Sequence, residues 1–194
     1  MLLEIFKDTP RGFYVDVGAH HPKRYSNTHL LYTKGWRGIN IDPNPHTIDL
    51  FMSARPTDVN VCTGIACQAG DLAYYRFSDP ALNTFKKEEA QKWMNKDWVA
   101  YLGAVPVSVK PLRDALHVYS PLPPIDLMNI DVEGMDMEVL ESNDWETTRP
   151  RVIVVESADF DPVQRERSAV YHFLSKKGYT LRAQRGSSLI FAHL

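Results

Sequence analysis

Short apolar runs that end in an acid or a glycine turn recur along this chain, separated by stretches with helical spacing. Phe13 to Val17 is the first run, continuing into Gly18-Ala19-His20-His21. Ser26 is a good helix N-cap, Leu30 and Leu31 supply an apolar face, and Lys34-Gly35 gives a cationic last turn with a glycine stop. The pattern therefore predicts a crossover helix over Asn27 to Lys34. Gly38 to Ile41 is the second run, ending in Asp42-Pro43, and His46 to Ser53 reads as a short helix before the break at Pro56. Val59 to Thr63 is a third strand, rich in β-branched residues, and Leu72 to Phe77 either extends the sheet or forms a hairpin.

From Ser78 to Val105 the strand period disappears, although Lys86 to Trp98 suits a helix. Regularity returns at Ile125 to Ile130, an unbroken apolar run of the kind buried on both faces of a sheet. Asp131 to Gly134 follows, Asp136 to Glu141 starts a helix, and Arg151 to Val155 is another apolar strand closing at Glu156. Val163 to Lys177 is an amphipathic helix stopped by Gly178. Tyr179 to Ala183 and Ser188 to Ala192 then pair as a hairpin turned at Arg185-Gly186. The alternation predicts an α/β fold: a doubly wound, mostly parallel, seven-stranded sheet with a C-terminal antiparallel hairpin. Residues 1–194 read as a single domain, with a substrate-lid insertion at about 78–105.

Composition narrows the setting. Hydrophobic residues make up 44% and charged residues 24% of the 194, ordinary values for a globular domain. A net charge of −2 provides no basic field for nucleic acid. No apolar stretch approaches the length of a membrane span, and the N-terminus lacks an export signal. Cys62 and Cys67 lack both the spread of a disulfide framework and the paired spacing of a zinc site. These features lead us to expect a cytoplasmic protein with reduced thiols.

The chemistry begins with the two strand-end acids, Asp16 and Asp42, one crossover apart. In a doubly wound sheet that spacing marks the end where nucleotide-like ligands bind. Gly18 allows close backbone approach, and Asp42 can accept both hydroxyls of a ribose. The third glycine of a dinucleotide fingerprint is missing; His20, His21 and Pro22 stand there instead. This weakens the case for a pyrophosphate cradle and for an NAD-type oxidoreductase. A nucleoside without pyrophosphate fits better.

Four blocks together resemble the FkbM family of class I methyltransferases: Asp16-Val17-Gly18-Ala19-His20, Ile41-Asp42-Pro43-Asn44-Pro45, Ile125 through Gly134, and Val154-Val155-Glu156. The Ile130-Asp131-Val132-Glu133-Gly134 block is the most specific. The resemblance implies S-adenosylmethionine as cofactor and methyl transfer to a hydroxyl of a sugar, glycan or related natural product. It implies that Asp16, Gly18 and Ala19, with His20 beside them, line the methionine end, that Asp42 meets the ribose, and that Gly64, Ile65 and Ala66 flank the adenine. The chain departs from the family where His21 replaces a small residue and Asn129 a frequent lysine.

Asp131 and Glu133 allow two readings. They either cap the N-terminus of the following helix or orient a substrate hydroxyl, and with Glu156 they offer three carboxylates suited to a divalent cation such as Mg²⁺. His21 is the leading candidate for general base, ahead of His20 and His29. Lys23-Arg24 reads as a solvated loop or a phosphate grip; Trp93, Trp98 and Tyr101 either stack on a sugar or pack on the sheet edge. The expected partner is a small-molecule or glycan acceptor. A partner subunit that binds cofactor without catalysis is the rival reading, and the oligomeric state is open.

Overall fold

The computed structural model describes residues 2–193. The chain opens with α1 (Leu2–Ile5), β1 (Phe13–Val17), α2 (His29–Thr33), β2 (Arg37–Asp42), α3 (Pro45–Ala54) and β3 (Val59–Cys62). A middle section follows: β4 (Gly64–Ile65), β5 (Gly70–Phe77), a 3₁₀ turn (Pro80–Leu82), α4 (Lys87–Met94), β6 (Tyr101–Lys110) and α5 (Leu112–His117). The last section comprises β7 (Leu127–Ile130), α6 (Asp136–Ser142), β8 (Val152–Glu156), a 3₁₀ turn (Arg165–Arg167), α7 (Ala169–Lys176), β9 (Thr180–Arg185) and β10 (Ser188–Ala192).

The main sheet has seven strands in the order β3-β2-β1-β7-β8-β10-β9. β10 is antiparallel to both its neighbours, and the other pairings are parallel. Strand order reverses between β1 and β7, which opens a crevice at their carboxyl ends. The fold is thus the predicted α/β sheet with its C-terminal hairpin.

Alternation along the strands divides the sheet into two chemically different faces. Val15, Val17, Ile39, Ile41, Met128 and Ile130 point into an apolar core with Leu112 and Leu116 of α5, Leu140 of α6 and Leu174 of α7. On the other face, Tyr14 and Leu127 meet Phe6, Leu31 and Trp36, but toward the strand ends the same face carries Asp16, Asn40, Asp42 and Asn129, all buried. A period of two therefore collects four polar side chains at one end of one face.

The structure departs from the pattern in three places. The first crossover helix does not begin at a Ser26 cap; α2 starts at His29, because the Ser26 and Thr28 hydroxyls are engaged by a buried arginine. The stretch without a strand period ends earlier than expected, since Tyr101 to Val105 already belong to β6, which pairs antiparallel with β5 in a second, three-stranded sheet of order β4-β6-β5. β6 is exposed at alternating positions and packs on no continuous core, so its apolar pattern is weak. Helices are also shorter than predicted: α4 ends at Met94 and α7 begins at Ala169, where the Ser168 side chain caps it. No helix among the described residues is long and apolar enough to cross a membrane.

Candidate functional site

A cavity of about 230 Å³ lies at the carboxyl ends of β1, β2 and β7. Asp16, Gly18, Ala19, His20, Asp42, Gly64, Ile65, Asp131 and Glu133 all line it. Nine of the expected site residues are thus brought together by the crevice between β1 and β7. His21, Ala66 and Glu156 are not in its lining. Tyr25, Asn27, Tyr74, Phe85 and Met135 line the cavity without having been singled out from sequence, and Asn83 lines it beside them.

The Gly18 position admits no side chain. Its φ is +77°, and a Cβ there would meet the Asp131 carbonyl oxygen at 1.8 Å. The ends of β1 and β7 therefore touch through bare backbone, with the Asp131 N–H donating to the Val17 carbonyl at 3.0 Å.

Asp16 is buried, and both its oxygens are occupied. The Thr28 hydroxyl donates to one at 2.6 Å and the Asn129 amide to the other at 2.8 Å. Burial pushes the Asp16 carboxyl above its ordinary value, against those two hydrogen bonds. Asn129 in turn accepts from the Asn27 amide at 2.9 Å. Asp42 accepts from the backbone N–H of His20 at 2.9 Å and of Asn44 at 2.8 Å. Its pKa rises to about 6, chiefly through burial, and each oxygen keeps a lone pair for a ligand.

Behind these acids sits Arg55, only 1% exposed. Its guanidinium donates to the Pro22 carbonyl, to the Ser26 and Thr28 hydroxyls at 2.8 Å each, and to the Tyr14 hydroxyl at 3.3 Å. Tyr14 donates onward to Asp58, which also accepts from the Gly38 N–H and the Asn40 amide. The faces of Phe51 and Tyr32 flank the guanidinium at 4.9 and 5.4 Å. The loop from Pro22 to Thr28 is thereby fixed to α3 and β1. Arg55 carries no sequence motif; the run Ser26-Asn27-Thr28 was its only advance sign.

His21 is not brought to the cavity. Its Nδ1 accepts from the backbone N–H groups of Lys23 and Arg24 at 3.0 and 2.9 Å, so it closes a turn at the surface. His20 does face the cavity, at φ +53°, and neither of its ring nitrogens has a partner although both are shielded from solvent. Ala66 packs with Val109 and Met135 one residue behind the wall. Arg24 pairs with Asp79 at 3.7 Å, leaving Lys23 in solvent. Trp93 and Trp98 pack edge to face on each other, away from the cavity lining.

Asp131, Glu133 and Glu156 form a tight group, each offering an oxygen within 4.8 Å of the others. Glu156 accepts from the Ser187 hydroxyl, and Glu133 holds φ +52°, with the Thr84 hydroxyl donating to its carbonyl at 2.7 Å. Burial first, then mutual repulsion, raises Asp131 to about 7 and Glu133 to about 8. Asp136, in the first turn of α6, reaches about 8 for the same reasons and leaves Oδ1 without a partner. The set of hard oxygen donors is of the kind that Mg²⁺ accepts.

Residues 16–181 match the family described as Methyltransferase FkbM domain. The match spans most of the chain, and the protein belongs to this methyltransferase family. No curated protein matches it. The family implies a methyl donor, and the cavity at the β1–β7 crevice is the place in the fold to hold one.

Proposed function

We propose that this methyltransferase takes its methyl group from S-adenosylmethionine and passes it to a hydroxyl oxygen of a sugar, a glycan or a related natural product. The observation that supports the reading is the convergence of Asp42, Gly18 and His20 on a cavity whose other wall carries Asp131 and Glu133. The residues fit the donor. Asp42 has free lone pairs for a pair of ribose hydroxyls, and Gly18 leaves bare backbone at the strand ends.

In this reading Asp16, Gly18 and Ala19 hold the methionine half, Asp42 the ribose, and Gly64 and Ile65 the adenine. When bound, the donor supplies an electrophilic methyl on a positively charged sulfur. The chain's own residues orient the acceptor, exclude water and dispose of one proton. Tyr74, Phe85, Val132 and Met135 give the cavity apolar walls, and the segment of Pro80 to Asn83 completes it as the proposed lid. Asp131 and Glu133 accept hydrogen bonds from the acceptor hydroxyls. A divalent cation on Asp131, Glu133 and Glu156 is a further element of the proposal; it would relieve the repulsion among the three acids and polarise a hydroxyl oxygen.

Incubation with methyl-labelled S-adenosylmethionine and a panel of nucleotide sugars and surface glycans tests the reading, with label expected in an ether-linked methyl. Calorimetry with S-adenosylhomocysteine and with NADH separates it from a dinucleotide enzyme. Binding of NADH alone would overturn it. Binding of S-adenosylhomocysteine with no transfer to any acceptor would favour a partner subunit, and activity that survives thorough chelation would exclude an obligatory cation.

A further inference from the structure

We infer that His20, rather than His21, is the group that takes the acceptor's hydroxyl proton, an inference that rests on the proposed methyl transfer. Buried polar atoms in folded proteins almost always have partners. His20 breaks that rule twice in one ring: Nδ1 and Nε2 are both shielded from solvent and unpartnered, in a side chain that lines the cavity. A ligand hydroxyl is the missing partner.

The ring is held for this task from several sides. The His20 N–H donates to Asp42 at 2.9 Å, the His21 N–H donates to the Ala19 carbonyl at 2.6 Å, and Arg55 grips the Pro22 carbonyl. These contacts keep the backbone at φ +53°, in the left-handed region that histidine enters more readily than most side chains. Tyr25 lies nearly parallel to the imidazole, with ring centroids 6.5 Å apart and an interplanar angle of 17°, and is itself 82% exposed. Tyr25, which also lines the cavity, therefore connects the imidazole to the surface, where an acceptor would enter.

The proton balance is simple. The acceptor O–H bond breaks as the proton moves to a ring nitrogen, and the oxygen's electron pair forms the new bond to the methyl carbon. The old carbon–sulfur bond breaks with its pair staying on sulfur, so the donor's positive charge is exchanged for that of an imidazolium. Burial, then Arg24, with a smaller contribution from His21, holds the His20 pKa below 6.5, against the pull of Asp79 from the 3₁₀ turn. His20 is thus neutral at pH 7 and able to accept. Asp42 lies at its backbone, and Asp131 and Glu133 share its cavity as the rival bases.

His20→Asn tolerates the positive φ and keeps the backbone contact to Asp42, so it tests the ring alone; His20→Gln is the second variant. Label transfer from S-adenosylmethionine to methyl α-glucopyranoside, methyl α-galactopyranoside and methyl α-mannopyranoside, at saturating donor, should fall 100-fold or more in kcat. Affinity for S-adenosylhomocysteine should stay within threefold. The wild-type rate should decline as pH drops below 6.5, and the limb should vanish in His20→Asn. A limb at pH 7 to 8 would hand the role to Asp131 or Glu133. Loss of S-adenosylhomocysteine affinity by more than tenfold with kcat retained would make His20 a donor-binding residue. Without any acceptor, ¹⁵N NMR of the imidazole in the S-adenosylhomocysteine complex should show a ring still titrating below pH 6.5. A ring that the complex prevents from titrating would overturn the inference whether or not the sugars react, whereas failure to bind S-adenosylhomocysteine counts against the donor reading itself.

Discussion

The two halves of the crevice carry the same kind of residue in opposite states. On the β1–β2 side, Asp16 and Asp42 each receive two hydrogen bonds, and Arg55 stands one hydroxyl behind Asp16. On the β7–β8 side, Asp131, Glu133 and Glu156 face one another beside Asp136, and three of the four are raised to about 7 or 8. A carboxylate with its donors in place is a rigid template for binding. Carboxylates that repel one another, as Asp131, Glu133 and Asp136 do, hold protons near neutral pH and change state when an acceptor or a cation arrives. The first half suits recognition of the donor, and the second can exchange protons with what binds beside it.

The largest expected effect joins the two halves. Gly18→Ala puts a methyl at 1.8 Å from the Asp131 carbonyl and forces alanine to φ +77°, so a loss of about 4 kcal/mol or more in denaturant unfolding is expected. Retention of wild-type stability would show that the strand ends are not held in contact. Next, Arg55→Met should cost about 3 kcal/mol, because Pro22, Ser26, Thr28 and Tyr14 lose a charged donor and Asp58 loses the buried cation near it. The same variant should loosen the Pro22–Thr28 loop, read as faster amide hydrogen exchange there and unchanged exchange in β7 and β8.

Asp42→Ala should weaken S-adenosylhomocysteine binding by about 1.5 to 3 kcal/mol, roughly 10- to 150-fold, as expected for hydrogen bonds to a charged acceptor. Because Asp42 titrates at about 6, wild-type affinity should also fall as pH drops below that value, and the variant should lose this dependence. Unchanged calorimetric affinity would remove Asp42 from the donor site.

The smallest effect addresses the unpaired half. Glu133 titrates at about 8 when folded against an ordinary value of 4.5, so the folded state binds more protons than the unfolded state between those limits. Its contribution to stability is therefore present below pH 4.5 and lost as pH rises toward 8. Glu133→Gln should melt higher than wild type at pH 8 by on the order of 1 to 2 kcal/mol, with little difference at pH 4.5. Added Mg²⁺ should raise wild-type stability at pH 8 if the acids bind it. A variant less stable than wild type at pH 8 would mean that the acids are not repelling one another.

Much of the β1–β2 side was legible in the sequence because strand alternation carries it directly. Asp16 and Asp42 close apolar runs, and the register of β1 with β2 and β7 then brings Asn40 and Asn129 to the same face. The Asp131 to Gly134 block and Glu156 were visible in the same way, as acids at strand ends. The long-range partners were not legible. Arg55 lies at the end of α3, and its four contacts reach back 27 to 41 positions, which no local spacing encodes. The choice between His20 and His21 was equally hidden, since adjacent residues differ only in which way the turn points them. β6 escaped because Gly103 and Pro106 interrupt the alternation of Val105, Val107 and Val109 with exposed residues.

The position of Arg55 has one more consequence. Its charge is stored behind the strand end, and of the residues it grips only Ser26 is in the cavity lining. Among the described residues the lining holds Asp16, Asp42, Asp131 and Glu133 and neither lysine nor arginine. On the proposed chemistry Asp42, ionised above about pH 6, favours a donor that arrives as a cation, and that attraction ends once the sulfur has become neutral. Product release would then be favoured by the same acid that recruits the donor.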